Sequence, residues 1–219
     1  RLYPFYGNKS ASIFYAMLKN KQLLENVAKV VEIEAGKLIY IAIKYSKVVS
    51  QRKELLKGAK NKIYAILRLV KLHKDEKGII FTHSQKFAEE INKKLPNSVV
   101  YTSKTPKSNL ENFRKSNELK QIIVVGKATV GNMDNKLSYA IHVSFESKPL
   151  KAIQKRGRIL SIDEENIKKS PKNYCLYVPS FTIGNETIES QELKWLKDSQ
   201  KGQPFISYTT IENIESQVI

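Results

Sequence analysis

One cysteine, one tryptophan and two methionines occur in 219 residues, and 21 acidic residues stand against 38 lysines and arginines. The lone Cys175 excludes an internal disulfide and fits a reducing, cytoplasmic setting. Three scattered histidines and one cysteine make no metal-ligand spacing, which argues against a zinc site. The longest apolar runs, such as Leu38–Ile43 and Ile122–Val125, are far shorter than the roughly 20 residues of a bilayer-spanning helix, so no membrane partner is expected. No basic-then-apolar leader with a small-residue cleavage site is visible, although a start at Arg1 leaves room for an upstream segment or domain. A Gly-x-x-x-x-Gly-Lys-[Ser/Thr] loop is absent, so nothing cradles β- and γ-phosphates. No Asp-Glu pair closes an apolar strand to hold Mg²⁺; Asp163-Glu164-Glu165 lies in polar sequence and reads as solvated surface.

What is present is a globular composition, 41% apolar and 27% charged, with a formal charge of +17. Such an excess suits a polyanion, because each neutralised phosphate releases condensed counterions. Its distribution is uneven: residues 1–72 hold 15 Lys/Arg and 4 Asp/Glu, a net of +11, leaving +6 for the rest. A compositional bias towards lysine is the competing explanation.

From Ser10 to about Leu72 the apolar residues recur at three- and four-residue steps, among them Ile41, Tyr45, Val48, Leu55, Ile63, Ile66 and Val70. This predicts a mainly helical, basic extension over 1–72, read as an antiparallel helical pair interrupted near Gly36 and Gly58, with a strand at Leu38–Ile43 as the alternative. After residue 72 the rhythm changes. Apolar strands at 79–82, 98–101, 121–125, 140–143 and 174–178 alternate with helices at 84–95, 107–115 and 150–156. That order predicts an α/β domain over 73–180, a parallel sheet flanked by helices and joined by right-handed crossovers, then a C-terminal helix and tail over 181–219. Ligands of such sheets bind at the carboxyl ends of the strands.

Polar residues collect at those ends. Thr82-His83-Ser84 follows the first strand and opens a helix, where free N–H groups and hydroxyls hold phosphate or merely cap the helix. Thr102-Ser103-Lys104-Thr105 follows the second and suits a sugar–phosphate backbone. Lys127 to Asp134 follows the third, with Thr129, Gly131 and Asp134. Gln154, Arg156, Gly157 and Arg158 follow the fourth, and arginine grips phosphate with a planar fork. Any one of these could be an ordinary polar loop; four in succession argue for a nucleotide and nucleic-acid edge.

The series GIIFTHS, YTSKT, IIVVGKATVGNMD and AIQKRGRIL resembles motifs IV, V and VI of the second RecA-like motor domain of superfamily 2 helicases, above all the bacteriophage-type DNA helicases and translocases. The preceding QRKELLKGAKNKIYAILRLV resembles the segment leading into that domain, and Ser190 to Leu196 is similar to a Trp-Leu element that closes it. Together these cover roughly residues 45–200. The resemblance implies a RecA-like fold, ATP with Mg²⁺ held mainly by a first RecA-like domain in the same or another chain, and nucleic acid as partner, DNA in preference to RNA. It implies roles for the matching residues. Gln154, Gly157 and Arg158 match the Gln-x-x-Gly-Arg core that faces ATP, Arg158 stabilising γ-phosphate charge and Arg156 beside it. Gly131 and Asp134 resemble the end of motif V, with Asn132 competing because the spacing is one residue long. Thr82, His83, Ser84, Lys104 and Thr129 lie where the family touches the strand backbone. A phage source would place the protein in the cytoplasm of a bacterial host.

One departure stands out: the family's second arginine, three positions after Arg158, is here Ser161. The expectation is an ATP-dependent helicase or translocase half that does not hydrolyse ATP alone. The rivals are an ATPase-inactive nucleic-acid-binding module and the motor part of a restriction–modification system.

Overall fold

A computed structural model of the chain describes residues 16–126, 136–144, 171–199 and 209–216. The chain folds as two compact units, 1–56 and 57–219.

In the first unit, helix α1 (Lys21–Val30) starts at Asn20, whose side-chain oxygen accepts the Leu23 N–H at 3.1 Å. A turn at 31–34, with Glu32 at φ 53°, leads into α2 (Ala35–Lys57). Leu24, Val27, Ala28 and Val31 meet Leu38 and Ala42 in a small core that also takes Met17. This decides the alternative at 38–43 in favour of a helix. Leu38, Ala42 and Ser46, four residues apart, are buried, whereas a strand would have turned alternate residues inward. Gly36 sits within the first turn of α2, and the interruption at Gly58 separates α2 from α3 (Lys60–Leu72).

The second unit is built on a five-stranded sheet with strand order β2-β3-β1-β4-β5, all pairs parallel. The strands are β1 (Lys77–Thr82), β2 (Ser98–Tyr101), β3 (Gln121–Val125), β4 (Leu137–His142) and β5 (Lys172–Cys175). Helix α4 (Gln85–Asn92) links β1 to β2, and α5 (Ser108–Lys115) links β2 to β3. Alternation along the strands feeds two cores. On one face Ile80, Ile123, Tyr139 and Ile141 meet Ile63, Ile66 and Leu69 of α3 and Phe87, Ala88 and Ile91 of α4. On the other, Ile79, Phe81, Ile122, Val124 and Ala140 meet Leu110 and Phe113 of α5. Helix α3, grouped by its sequence with the basic extension, thus buries its apolar side against this sheet.

The amino ends of the strands are closed by side chains that satisfy one another. Tyr139 is fully buried, its hydroxyl accepts from Gln121 Nε2 at 3.3 Å, and its ring lies against Gly78, where a Cβ would overlap it. Burial pushes the Tyr139 phenol up to about 12. His73 stacks on Tyr139 at 4.4 Å between centroids, and its Nε2 is 2.8 Å from the Tyr174 hydroxyl. Lys77 Nζ donates to the carbonyls of Phe113 and Arg114 at 2.9 and 3.0 Å, placing a cation on the last turn of α5.

Beyond β5 the chain forms a hairpin, β6 (Phe181–Ile183) and β7 (Glu186–Ile188), which the sequence pattern had not indicated. Helix α6 (Gln191–Ser199) and the short α7 (Ile211–Ser216) follow. Arg68 of α3 meets Glu212 of α7 at 3.1 Å. The helix expected at 150–156 lies outside the described residues.

Candidate nucleic-acid interface

Strand order sets where a ligand fits. From β1 the chain crosses beyond β3 to reach β2, and from β3 it crosses β1 in the opposite direction to reach β4. Adjacent strands whose connections diverge open a crevice outside their carboxyl ends. That crevice is bordered by residues 82–84 after β1 and by the chain that leaves β3 at Gly126.

Gly126 has φ +68°, a conformation side chains rarely adopt, and among the described residues nothing lies within 4 Å of where its Cβ would be. Gly126 thus takes, at the end of β3, the left-handed backbone that favours glycine.

Ser84 caps α4: its hydroxyl oxygen accepts the Phe87 N–H at 3.3 Å. The helix-cap reading of this serine is thus realised, and it sets the start of α4 at the crevice. Thr82 turns inward. Only 4% exposed, its hydroxyl donates to the Val124 carbonyl at 3.3 Å and ties β1 to β3. His83 is half-buried, its ring 5.1 Å from that of Phe87.

After β2 the loop is locked by its own hydroxyls. The Thr102 N–H donates to Thr105 Oγ1 at 2.8 Å, that hydroxyl donates to the Thr102 carbonyl at 3.0 Å, and the Lys104 N–H donates to Thr102 Oγ1 at 3.1 Å. Lys104 itself is exposed. A fixed backbone that holds out a lysine suits a phosphate contact, because little freedom remains to be lost on binding.

The carboxyl end of β4 is held by a buried ion pair that sequence spacing does not reveal, its partners being 130 positions apart. Lys62 Nζ of α3 lies 2.8 Å from both carboxylate oxygens of Glu192 on α6 and 2.8 Å from the Val143 carbonyl. Glu192 Oε2 also accepts the Val178 N–H at 3.0 Å. Both side chains are 5% exposed. Burial pushes the Lys62 ammonium down from its ordinary value, with Glu192 opposing. One ammonium thus joins α3, the exit of β4 and α6.

Gln154, Arg156, Gly157 and Arg158, together with Thr129, Gly131, Asn132, Asp134 and Ser161, lie outside the described residues. The described set brings His83, Ser84 and Lys104 to one edge of the sheet and turns Thr82 into it. Among the described residues no three His, Cys, Asp or Glu side chains gather for a metal. Nor is any described helix long and apolar enough to cross a membrane.

No protein-family model matches the chain, and no curated protein does. Solved structures do. The C-terminal domain of the DEAD-box protein Dbp5 is similar with a TM-score of 0.57 at 16% identity, over 74% of this chain and 92% of that one. Dbp5 of S. cerevisiae bound to RNA and ADP BeF3 is similar with a TM-score of 0.57 at 14% identity, over 72% of this chain; the match spans 40% of that longer protein. The C-terminal part of the Fun30 ATPase domain gives 0.50 at 16% identity, over 95% of this chain and 72% of that one. At these identities the likeness establishes the fold, a RecA-like α/β domain with helices preceding it.

Proposed function

We propose that this RecA-like chain is the second motor domain of an ATP-dependent helicase or translocase. In this reading the carboxyl edge of the sheet holds a nucleic-acid backbone. The segment containing Gln154, Arg156 and Arg158 faces ATP bound by another RecA-like domain. The observation that carries the reading is the carboxyl edge itself: His83 and the Ser84-capped start of α4 lie at the switch point of a parallel sheet, and the exposed Lys104 follows β2 on the same edge, beyond β3. Backbone contacts of this kind are blind to base sequence, so binding without sequence preference follows. Motif resemblance favours DNA, whereas one structural neighbour is bound to RNA, so both belong in the assay.

The chemistry asked of this chain is electrostatic. Arg158 would lie against the γ-phosphate and stabilise the charge that grows on it in the transition state. Gln154 and Arg156 would orient the same group, and Gly131 and Asp134 would couple it to the bound strand through Thr129. Mg²⁺, held mainly by the other domain, would supply further charge neutralisation.

The test is ATP hydrolysis by this chain joined to a domain that carries the phosphate-cradling loop. Arg158→Ala abolishes nucleic-acid-stimulated turnover and leaves strand binding within a few-fold. Full turnover in that variant contradicts the assignment. Ser161, in place of the family's second arginine, favours one second reading, an ATPase-inactive binding module. Absence of stimulated hydrolysis with the natural segment intact would select it.

A further inference from the structure

Helix α2 carries six lysines or arginines (Lys37, Lys44, Lys47, Arg52, Lys53, Lys57) against one acid, Glu54. No other described helix carries as much net charge; α3, with four lysines and arginines and no acid, comes nearest. In α4 one lysine accompanies Glu89 and Glu90, in α6 two lysines accompany Glu192 and Asp198, and on α3 Lys62 and Arg68 are held by carboxylates. No such balance exists along the middle of α2.

Spacing places the charge. Lys37, Tyr40, Lys44 and Lys47 follow one another at three-, four- and three-residue steps and so lie along one side of the helix. The buried residues Leu38, Ala42 and Ser46 mark a different side, turned to the small core of the first unit. Three lysines and a tyrosine therefore share an exposed stripe about 15 Å long, at 1.5 Å per residue. Tyr40 is 57% exposed, and Lys44 Nζ stands 4.5 Å from its ring centroid. The exposed Ile41 and Val48 border the stripe.

From this arrangement we infer that α2 is a second nucleic-acid contact surface, one that takes single strands. The lysines match phosphates in charge, and the outer face of the Tyr40 ring offers a base a stacking platform. Single-stranded binders combine these two elements: a basic track follows the backbone, and an aromatic accepts whichever base arrives. An anionic membrane would use the lysines but not the ring in this way. The surface lies wholly within residues 37–47, so it does not depend on the role given to the carboxyl edge of the sheet.

The experiment uses the full chain and a fluorescein-labelled oligothymidine strand of about 20 nucleotides, long enough to cover more than one site. K37Q/K44Q/K47Q should lower the slope of log affinity against log salt by about 2, at roughly 0.7 per lost single-strand phosphate contact. Tyr40→Ala should weaken binding about tenfold, while Tyr40→Phe retains it, because stacking needs the ring and not the hydroxyl. A control of equal charge change, K93Q/K94Q/K115Q, whose lysines lie at the C-terminal ends of α4 and α5, should leave the slope within half a unit of the parent. All are exposed positions, and unchanged circular dichroism confirms the fold. The inference is overturned if the α2 triple variant keeps the parental slope, if the control loses as much, or if Tyr40→Phe falls with Tyr40→Ala. Loss of binding to phosphatidylserine vesicles with strand affinity unchanged would overturn it in favour of a membrane. If Lys104→Ala weakens binding where the α2 variants do not, the inference fails and the proposed function stands.

Discussion

The two ends of the sheet differ in what their polar side chains meet. At the amino ends polar groups face one another: Gln121 to Tyr139, His73 to Tyr174, Lys77 to the last carbonyls of α5. Tyr139 fills the space that Gly78 leaves. At the carboxyl ends Lys104 is exposed, His83 is half-buried and Gly126 takes a positive φ. At the amino end the polar side chains pair with one another; at the carboxyl end Thr82, Ser84 and Thr102 also bond within the fold but leave Lys104 exposed, the contact that the proposed function gives to a nucleic-acid strand. Changes at the amino end should therefore cost stability and spare affinity, with the reverse at the carboxyl end.

The largest expected effect is the exception to that rule. Glu192→Ala leaves Lys62 buried without its counter-charge and the Val178 N–H without its acceptor, and should destabilise the chain by about 3–5 kcal/mol. Lys62→Met combined with Glu192→Leu removes both charges and should recover most of that loss, as read by urea unfolding. A double variant no better than Glu192→Ala would mean that the pair is needed for more than charge neutrality.

Next comes alkaline unfolding. The Tyr139 phenol sits near 12 in the folded chain against about 10 unfolded, so the folded state keeps its proton longer. Its contribution is complete below pH ~10 and is lost as pH rises towards ~12, with a ceiling of about 3 kcal/mol. Lys62, whose ammonium is pushed down by burial, acts with the opposite sign, so the difference between the parent and Tyr139→Phe isolates the phenol. Equal slopes for the two chains would remove Tyr139 from the account.

A smaller loss, about 1–3 kcal/mol, is expected for Gly78→Ala, because the new methyl group must displace the Tyr139 ring or the strand. Strand affinity should not change. The least effect on stability belongs to Lys104→Ala, within about 0.5 kcal/mol. It should reduce the salt slope for strand binding by about 0.7, one phosphate contact. If Gly78→Ala altered affinity more than Lys104→Ala, the contrast between the two ends would collapse.

Much of the fold was legible in the sequence because buried parallel strands are short apolar runs. Four strands lie where those runs are, with ends shifted by up to three residues; the fifth, Lys172–Cys175, shares only Tyr174 and Cys175 with the run at 174–178. Helix α2 was ambiguous because apolar residues surround it, and only burial at every fourth position decided it. The hairpin at 181–188 escaped because its strands are three residues long, too short for alternation to register. Thr82 illustrates the limit at the site. Sequence placed it correctly at a strand end but could not say which way its hydroxyl turns, and it turns inward. The Lys62–Glu192 pair was invisible for a different reason: it joins two helices 130 positions apart, and no local pattern records such a meeting.

The most direct test of the central claim is amide hydrogen exchange of the full chain with and without an oligonucleotide. Exchange should slow at 83–85 and 102–105 when the strand binds, with no slowing at 73–78 or around Gln121. Protection confined to the amino ends, with 83–85 and 102–105 unchanged, would contradict it.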